Sequence, residues 1–289
     1  MREHILVCPF DKNLLEKMHD ESLVVISPGF EQIPHVFKTA GERNNRVMCV
    51  VVYSKGSLAS VPFHESWKGI PVAIYAAELG PFKEIMARLP LIRDLNLRIF
   101  LNSDHKENFT ALHILSSLQV NCGLDFGEND IDWEVLNDLM TYALYGKVKH
   151  GGIEPFQFVA TKYNPERLTE YNTIYFNNPQ VYLHVDQEEN IAVSRKHLQK
   201  SDYVATGLNA LNDIKSNENF NEAILNWQQH FLKDSGCAFC QAWRICMGKF
   251  SGQIERNPGC QKFFADLMEA TDHFLEKQHK QREREIWQP

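Results

Sequence analysis

The sequence predicts an α/β fold, a parallel sheet closed fully or partly into a barrel and followed by a smaller C-terminal domain. Three observations predict it. Short runs rich in Val, Ile and Phe recur from the N-terminus to about residue 160. Stretches with helical spacing separate several of these runs, on a period of roughly 25 to 30 residues that fits βα units. The texture then changes after Tyr171, and four of the seven cysteines lie between positions 237 and 260.

The strand candidates are Val24 to Ser27, Arg46 to Tyr53, Pro71 to Ala76, Leu97 to Leu101, Val120 to Phe126 and Phe156 to Lys162, with an early Ile5 to Val7 as a possible seventh. Each is a short apolar run of the kind that a buried strand carries. The helix candidates are Pro81 to Arg93, which opens on a first-turn proline, Lys106 to Leu118, with Phe109, Leu112 and Leu115 on one side, and Asp132 to Leu144. Fewer strands than the eight of a complete barrel point to a partial one. Beyond it, Val181 to Val185 and Asn190 to Val193 flank the polar Asp186-Gln187-Glu188-Glu189 as a hairpin. Asn209 to Lys233 reads as a helix stopped at Ser235-Gly236, and Gln261 to Ile286 as a long helix ending in a solvated charged tail. The expected division is residues 1–176 for the barrel and 177–289 for the second domain.

With 289 residues, 44% of them apolar, the chain can fill a sizeable core. A net charge of -7 gives no footprint for a phosphate backbone, so nucleic acid is not an expected partner. The N-terminal apolar run is too short for a signal segment, and nothing approaches the roughly 20 apolar residues of a membrane span. The expectation is a cytoplasmic protein without membrane contact. In a reducing compartment, clustered cysteines favour a metal site over disulfides.

Cys237-Ala-Phe-Cys240 brings two thiols onto one turn, Cys246 follows after five residues, and Cys260 comes after a loop containing glycine and proline. Thiolates suit both iron–sulfur clusters and tetrahedral zinc, so the spacing names a metal site before it names the metal. A single CxxC knuckle and the apolar Phe239, Trp243, Met247 and Phe250 favour a cluster, with a four-cysteine zinc site as the alternative. Cys8, Cys49 and Cys122 sit in apolar runs.

At Gly207 to Ile214, Trp227 to Phe231 and Cys237 to Phe250 the sequence resembles the SPASM domain of radical S-adenosylmethionine (SAM) peptide-modifying enzymes. The resemblance implies a partial (β/α)₆-like barrel followed by a small SPASM-like iron–sulfur domain with a hairpin and helices. It also implies a 4Fe-4S cluster on Cys237, Cys240, Cys246 and Cys260. Phe250 stands where the family cassette closes with cysteine, and Glu189 and Ser194 stand where its hairpin has G-x4-C. In the family those missing cysteines serve one auxiliary cluster and the retained four serve another, so the losses are coordinated. The C-x3-C-x2-C motif that binds the SAM-cleaving cluster is absent: Cys8 stands alone, and no cysteine follows Ser27 in the next loop. The resemblance therefore implies a scaffold without its characteristic reaction, an accessory protein in ribosomal peptide modification that binds a precursor peptide or a partner maturase.

Other residues weigh less. Cys122 and Asp125 lie on a strand whose end could face a barrel mouth, with Asp125 or Glu154 as acid–base candidates for a different enzyme chemistry. A buried cysteine and a carboxylate capping the next turn beside Glu128 and Asp130 is the commoner role. His105 and His113 have no third ligand near them in sequence and read as structural. His150-Gly151-Gly152 lacks the phosphate-loop pattern and reads as a turn, with Lys147 and Lys149 as solvated neighbours. Trp227 and Trp243, which flank the cassette, read as packing residues.

Overall fold

The structure, a computed structural model, describes residues 4–18, 23–42, 45–54, 56–127, 130–229, 235–250 and 259–286. Its strands are β1 (Ile5–Pro9), β2 (Leu23–Ser27), β3 (Arg46–Tyr53), β4 (Val72–Ala76), β5 (Leu97–Asn102), β6 (Cys122–Asp125), β7 (Ile153–Glu154), β8 (Tyr182–Val185), β9 (Asn190–Ala192) and β10 (Ala205–Thr206). Its helices are α1 (Lys12–Lys17), α2 (Ile33–Gly41), α3 (Phe82–Asp94), α4 (Glu107–Ser117), α5 (Trp133–Tyr145), α6 (Phe156–Lys162), α7 (Arg195–Gln199), α8 (Glu218–Gln229), α9 (Ser235–Ala238), α10 (Trp243–Cys246) and α11 (Gly259–Ile286). The fold is mixed α/β with mostly parallel pairing. The chain forms two compact units, one from Met1–Asn102 with Asn172–Gln228 and one from Ser103–Tyr171 with Gln229–Pro289.

In the first unit β1 to β5 pair in sequence order, all parallel, and β8 joins β1 on its other side, also parallel. Parallel strands are covered on both faces, which is why their sequences are continuous apolar runs without alternation. Val24, Val25, Ile26, Val50, Val51, Ile74, Ile99, Phe100 and Leu101 are all fully buried. Each such side chain contributes about 1.5–3 kcal/mol relative to exposure. The predicted hairpin forms, with β8 and β9 antiparallel in the register His184↔Ala192 and Val185↔Ile191. β10 extends it through Ala205↔Ile191.

Buried within β8, His184 holds its Nε2 2.8 Å from the Phe176 carbonyl oxygen. Burial pushes the imidazole down from 6.5 to about 4, and Arg195 and His197 push in the same direction. The folded chain therefore binds fewer protons than the unfolded one. Stability is full above pH 6.5 and is lost as the pH falls toward 4, by about 3 kcal/mol at about 1.4 kcal/mol per pH unit. Urea unfolding across that interval should show the loss, and His184→Gln should flatten it; an unchanged slope in the variant would assign the acid sensitivity elsewhere.

The second unit packs α11 against α5 and α6, and α4 against β6 and α5. Its strands β6 and β7 are parallel, in the register Cys122↔Ile153 and Gly123↔Glu154. Helices α4 and α5 form where helical spacing predicts them. Asp132 caps α5 by accepting from Val135 N–H at 3.3 Å, and Phe109, Leu112 and Leu115 are buried along α4.

Three elements differ from expectation. Phe156 to Lys162 is helix α6, and only Ile153–Glu154 before it is strand. The buried Glu154 carboxylate accepts from Phe158 N–H at 2.9 Å and so caps the first turn, which overrides the β-type composition of the segment. The predicted helix from Asn209 begins only at Glu218. Asn217 holds its start by accepting from Phe220 N–H at 3.0 Å, and the Asn- and Asp-rich stretch before it makes short 3₁₀ turns. Ser235-Gly236, expected to stop that helix, opens α9 instead. Glu128, residues 230–234 and the loop 251–258 before the last cysteine lie outside the described residues.

Candidate metal centre

The four clustered cysteines all belong to the second unit. Cys237 sits in α9, and Cys240 N–H donates to the Cys237 carbonyl at 3.0 Å, so the CxxC is a closed turn. Trp243 N–H donates to the Cys240 carbonyl at 3.2 Å and starts α10, which ends on Cys246. Met247 and Gly248 then take positive φ, 51° and 71°. This left-handed pair, for which glycine is suited, turns the backbone so that Lys249 N–H donates to the Cys246 carbonyl at 3.1 Å and Phe250 N–H faces the Cys246 sulfur. Backbone N–H donors onto a cysteine sulfur stabilise a thiolate ligand.

Cys260 is held by a close approach. It is the second residue of α11, and the first, Gly259, lies so near Trp133 that a Cβ there would stand 2.3 Å from the Trp133 Cδ1. Cys237, Cys246 and Cys260 are buried and Cys240 is half-buried. All four line one cavity, with Trp243, Phe250 and Phe264 among its walls. The cavity measures about 20 Å³, room for one small ion or water. Among the described residues no three of His, Cys, Asp and Glu are set closely enough around one point to hold a metal ion. The thiols therefore border a common space without closing on it.

Burial is the main reason that the Cys246 thiol is pushed up to about 12; the nearby Cys260 and Cys237 push it further, and the N–H groups of Phe250 and Lys249 act against them. A thiolate here requires a cation beside it, which a metal or a cluster supplies. The donor set fits such a group: four thiols, an otherwise uncharged lining and a backbone N–H facing one sulfur.

Phe250 is 4% exposed. Its ring centroid lies 5.2 Å from Trp133, 5.3 Å from Phe126 and 5.9 Å from Phe264. Ser194 caps α7 by accepting from His197 N–H at 3.3 Å. Glu189 has a φ of 65°. Its carboxylate pairs with Lys17 and accepts from Leu208 N–H at 3.2 Å, and these contacts favour the left-handed turn without glycine.

The remaining candidates have structural surroundings. Cys8 and Cys49 are pushed up by burial to about 12 and about 11, and Cys122 further still, with Glu154 adding to the burial; all three belong to strands. Asp125 ends β6, where its carbonyl accepts from Ser103 N–H at 2.9 Å, while the Glu154 carboxylate accepts from Phe158 N–H in the first turn of α6. His105 precedes α4, its carbonyl accepting from Asn108 N–H at 3.0 Å, and His113 packs edge-on against Tyr142. The His150 to Gly152 segment is a turn tied by Gly151 N–H to the Ser116 carbonyl at 2.8 Å and by the Ser116 hydroxyl to the Gly151 carbonyl at 2.5 Å. Lys147 and Lys149 are exposed, Trp227 lies on α8, and Trp243 lines the cysteine cavity.

Residue spacing alone does not single out Gly248 or Gly259, although a glycine two residues after Cys246 and another just before Cys260 are the available signals. No family model matches the chain, and no curated protein matches it. Among the described residues no helix is long and apolar enough to cross a membrane.

Proposed function

We propose that this chain is a 4Fe-4S-binding, SAM-independent accessory protein with a degenerate radical SAM/SPASM scaffold, a partial (β/α)₆-like barrel over residues 1–176 and a SPASM-like domain over 177–289. It binds a precursor peptide or a partner maturase in ribosomal peptide modification. The observation that carries the reading is the shared cavity of Cys237, Cys240, Cys246 and Cys260, apolar-walled and with a backbone N–H facing the Cys246 sulfur. A cluster bound there cross-links α9, α10 and the start of α11 and adds its binding energy to folding, as metals do in small domains.

The erased site supports the same reading. Phe250 has become part of an aromatic core and Ser194 a helix cap, so both positions have acquired roles incompatible with a second cluster. The positive φ at Glu189 supports aligning it with the family glycine.

A four-cysteine zinc site is the second reading, favoured by the small cavity, since a cluster requires the thiols to move outward from their present positions. Reduced, reconstituted protein incubated with S-adenosylmethionine is expected to yield no 5′-deoxyadenosine. Sustained production would defeat the accessory reading.

A further inference from the structure

A second cavity of about 390 Å³ opens on the outer side of the cysteine turn, lined by Tyr163, Phe239, Cys240, Trp243, Arg244 and Met268 among others. Cys240 and Trp243 border both cavities, so this one lies against the candidate metal centre. Its size is that of a ligand site. Phe239, between the two cysteines of the closed turn, is 90% exposed. Leu168, 51% exposed, adjoins Thr169, whose N–H donates to the Arg244 carbonyl at 3.1 Å.

We infer that this cavity is a peptide-binding site for a segment that presents an aromatic side chain beside a single carboxylate. The walls supply aromatic faces and an adaptable thioether for the ring. Arg244, the one cation among the named walls, supplies a planar fork that matches a carboxylate. Tyr163 lies within electrostatic reach of both Arg244 and Asp272, and a polyanion would meet a chain of net charge -7. The occupant is a peptide because a cavity of about 390 Å³ with the 90% exposed Phe239 in its wall offers more apolar surface than a free small acid covers. Phe239 suits an anchor, because the Cys240 N–H to Cys237 carbonyl bond already orders the turn that carries it.

The test uses full-length, metal-loaded protein and fluorescein-labelled hexapeptides with Phe-Asp, Phe-Asn or Ala-Asp at the centre, read by fluorescence polarisation. Phe-Asp should bind at least about tenfold more tightly than either of the others, a difference of about 1.4 kcal/mol. Arg244→Gln should erase the Asp-over-Asn preference, and Phe239→Ser should weaken Phe-Asp about tenfold. Both residues are exposed, and unchanged far-UV circular dichroism checks that the variants fold. Equal binding of Phe-Asp and Phe-Asn, or a preference that survives Arg244→Gln, would overturn the assignment. Equal affinity for 3-phenylpropionate would overturn the peptide as occupant. A spectroscopic arm rests on the cluster reading: saturating Phe-Asp peptide should shift the electron paramagnetic resonance signal of the reduced cluster, because Cys240 borders the site. Protein that takes up no iron or sulfide on reconstitution yet keeps the peptide pattern defeats the cluster and leaves the pocket standing; loaded protein blind to all three peptides defeats the pocket alone.

Discussion

Cys246→Ser is expected to abolish retention of the metal group and to unfold the turns around α9 and α10. Cys246 is the cysteine whose sulfur the Phe250 N–H faces and which senses Cys237 and Cys260. A serine hydroxyl there stays protonated and is a poor ligand for a soft site. The binding energy at stake is on the order of 10 kcal/mol, comparable with the whole stability of a domain. Iron, sulfide and the visible absorption band should all be lost, with a large fall in melting temperature. Cys8→Ser should keep all three, since Cys8 lies buried on β1 in the first unit. Full retention in Cys246→Ser would remove this cysteine from the ligand set.

Phe250→Ala is expected to destabilise the chain by about 3–5 kcal/mol, the range for deleting a buried aromatic from a core. The ring sits among Trp133, Phe126 and Phe264, so little can collapse into the space it leaves. Phe250→Cys places a thiol in the same aromatic surroundings, and should lose stability without raising iron content. Guanidinium unfolding of the loaded protein measures the first effect and metal analysis the second; a loss below about 1 kcal/mol would mean that Phe250 is not a core residue.

The strands of the first unit were legible because parallel strands buried on both faces carry unbroken Val and Ile runs, as in Val50 to Val52 and Val24 to Ile26. The hairpin was legible from its polar turn between alternating segments. Helix α6 was not, because Phe-Gln-Phe-Val-Ala-Thr-Lys is too short to display a helical period and is rich in β-branched and aromatic residues. Its signal was Pro155 with Glu154 before it, a cap recognisable only once Phe158 N–H is seen to need an acceptor. The spacing of the four cysteines marks them as one group, and all four line one cavity in the structure. What spacing could not reveal was their support: Gly259 against Trp133, the left-handed Met247-Gly248 pair, and Phe250 as an aromatic core residue. The outer cavity was also out of reach, since it joins Tyr163 and Met268 to the cysteine turn across long stretches of chain. Nor does sequence locality reveal that each compact unit is assembled from two separate stretches.

Anaerobic quantification of iron, acid-labile sulfide and zinc on the purified protein decides whether the four cysteines hold a cluster. About four irons and four sulfides per chain are expected, with a broad visible absorption band and negligible zinc. One zinc per chain without labile sulfide, or no metal at all after anaerobic reconstitution, would contradict the cluster.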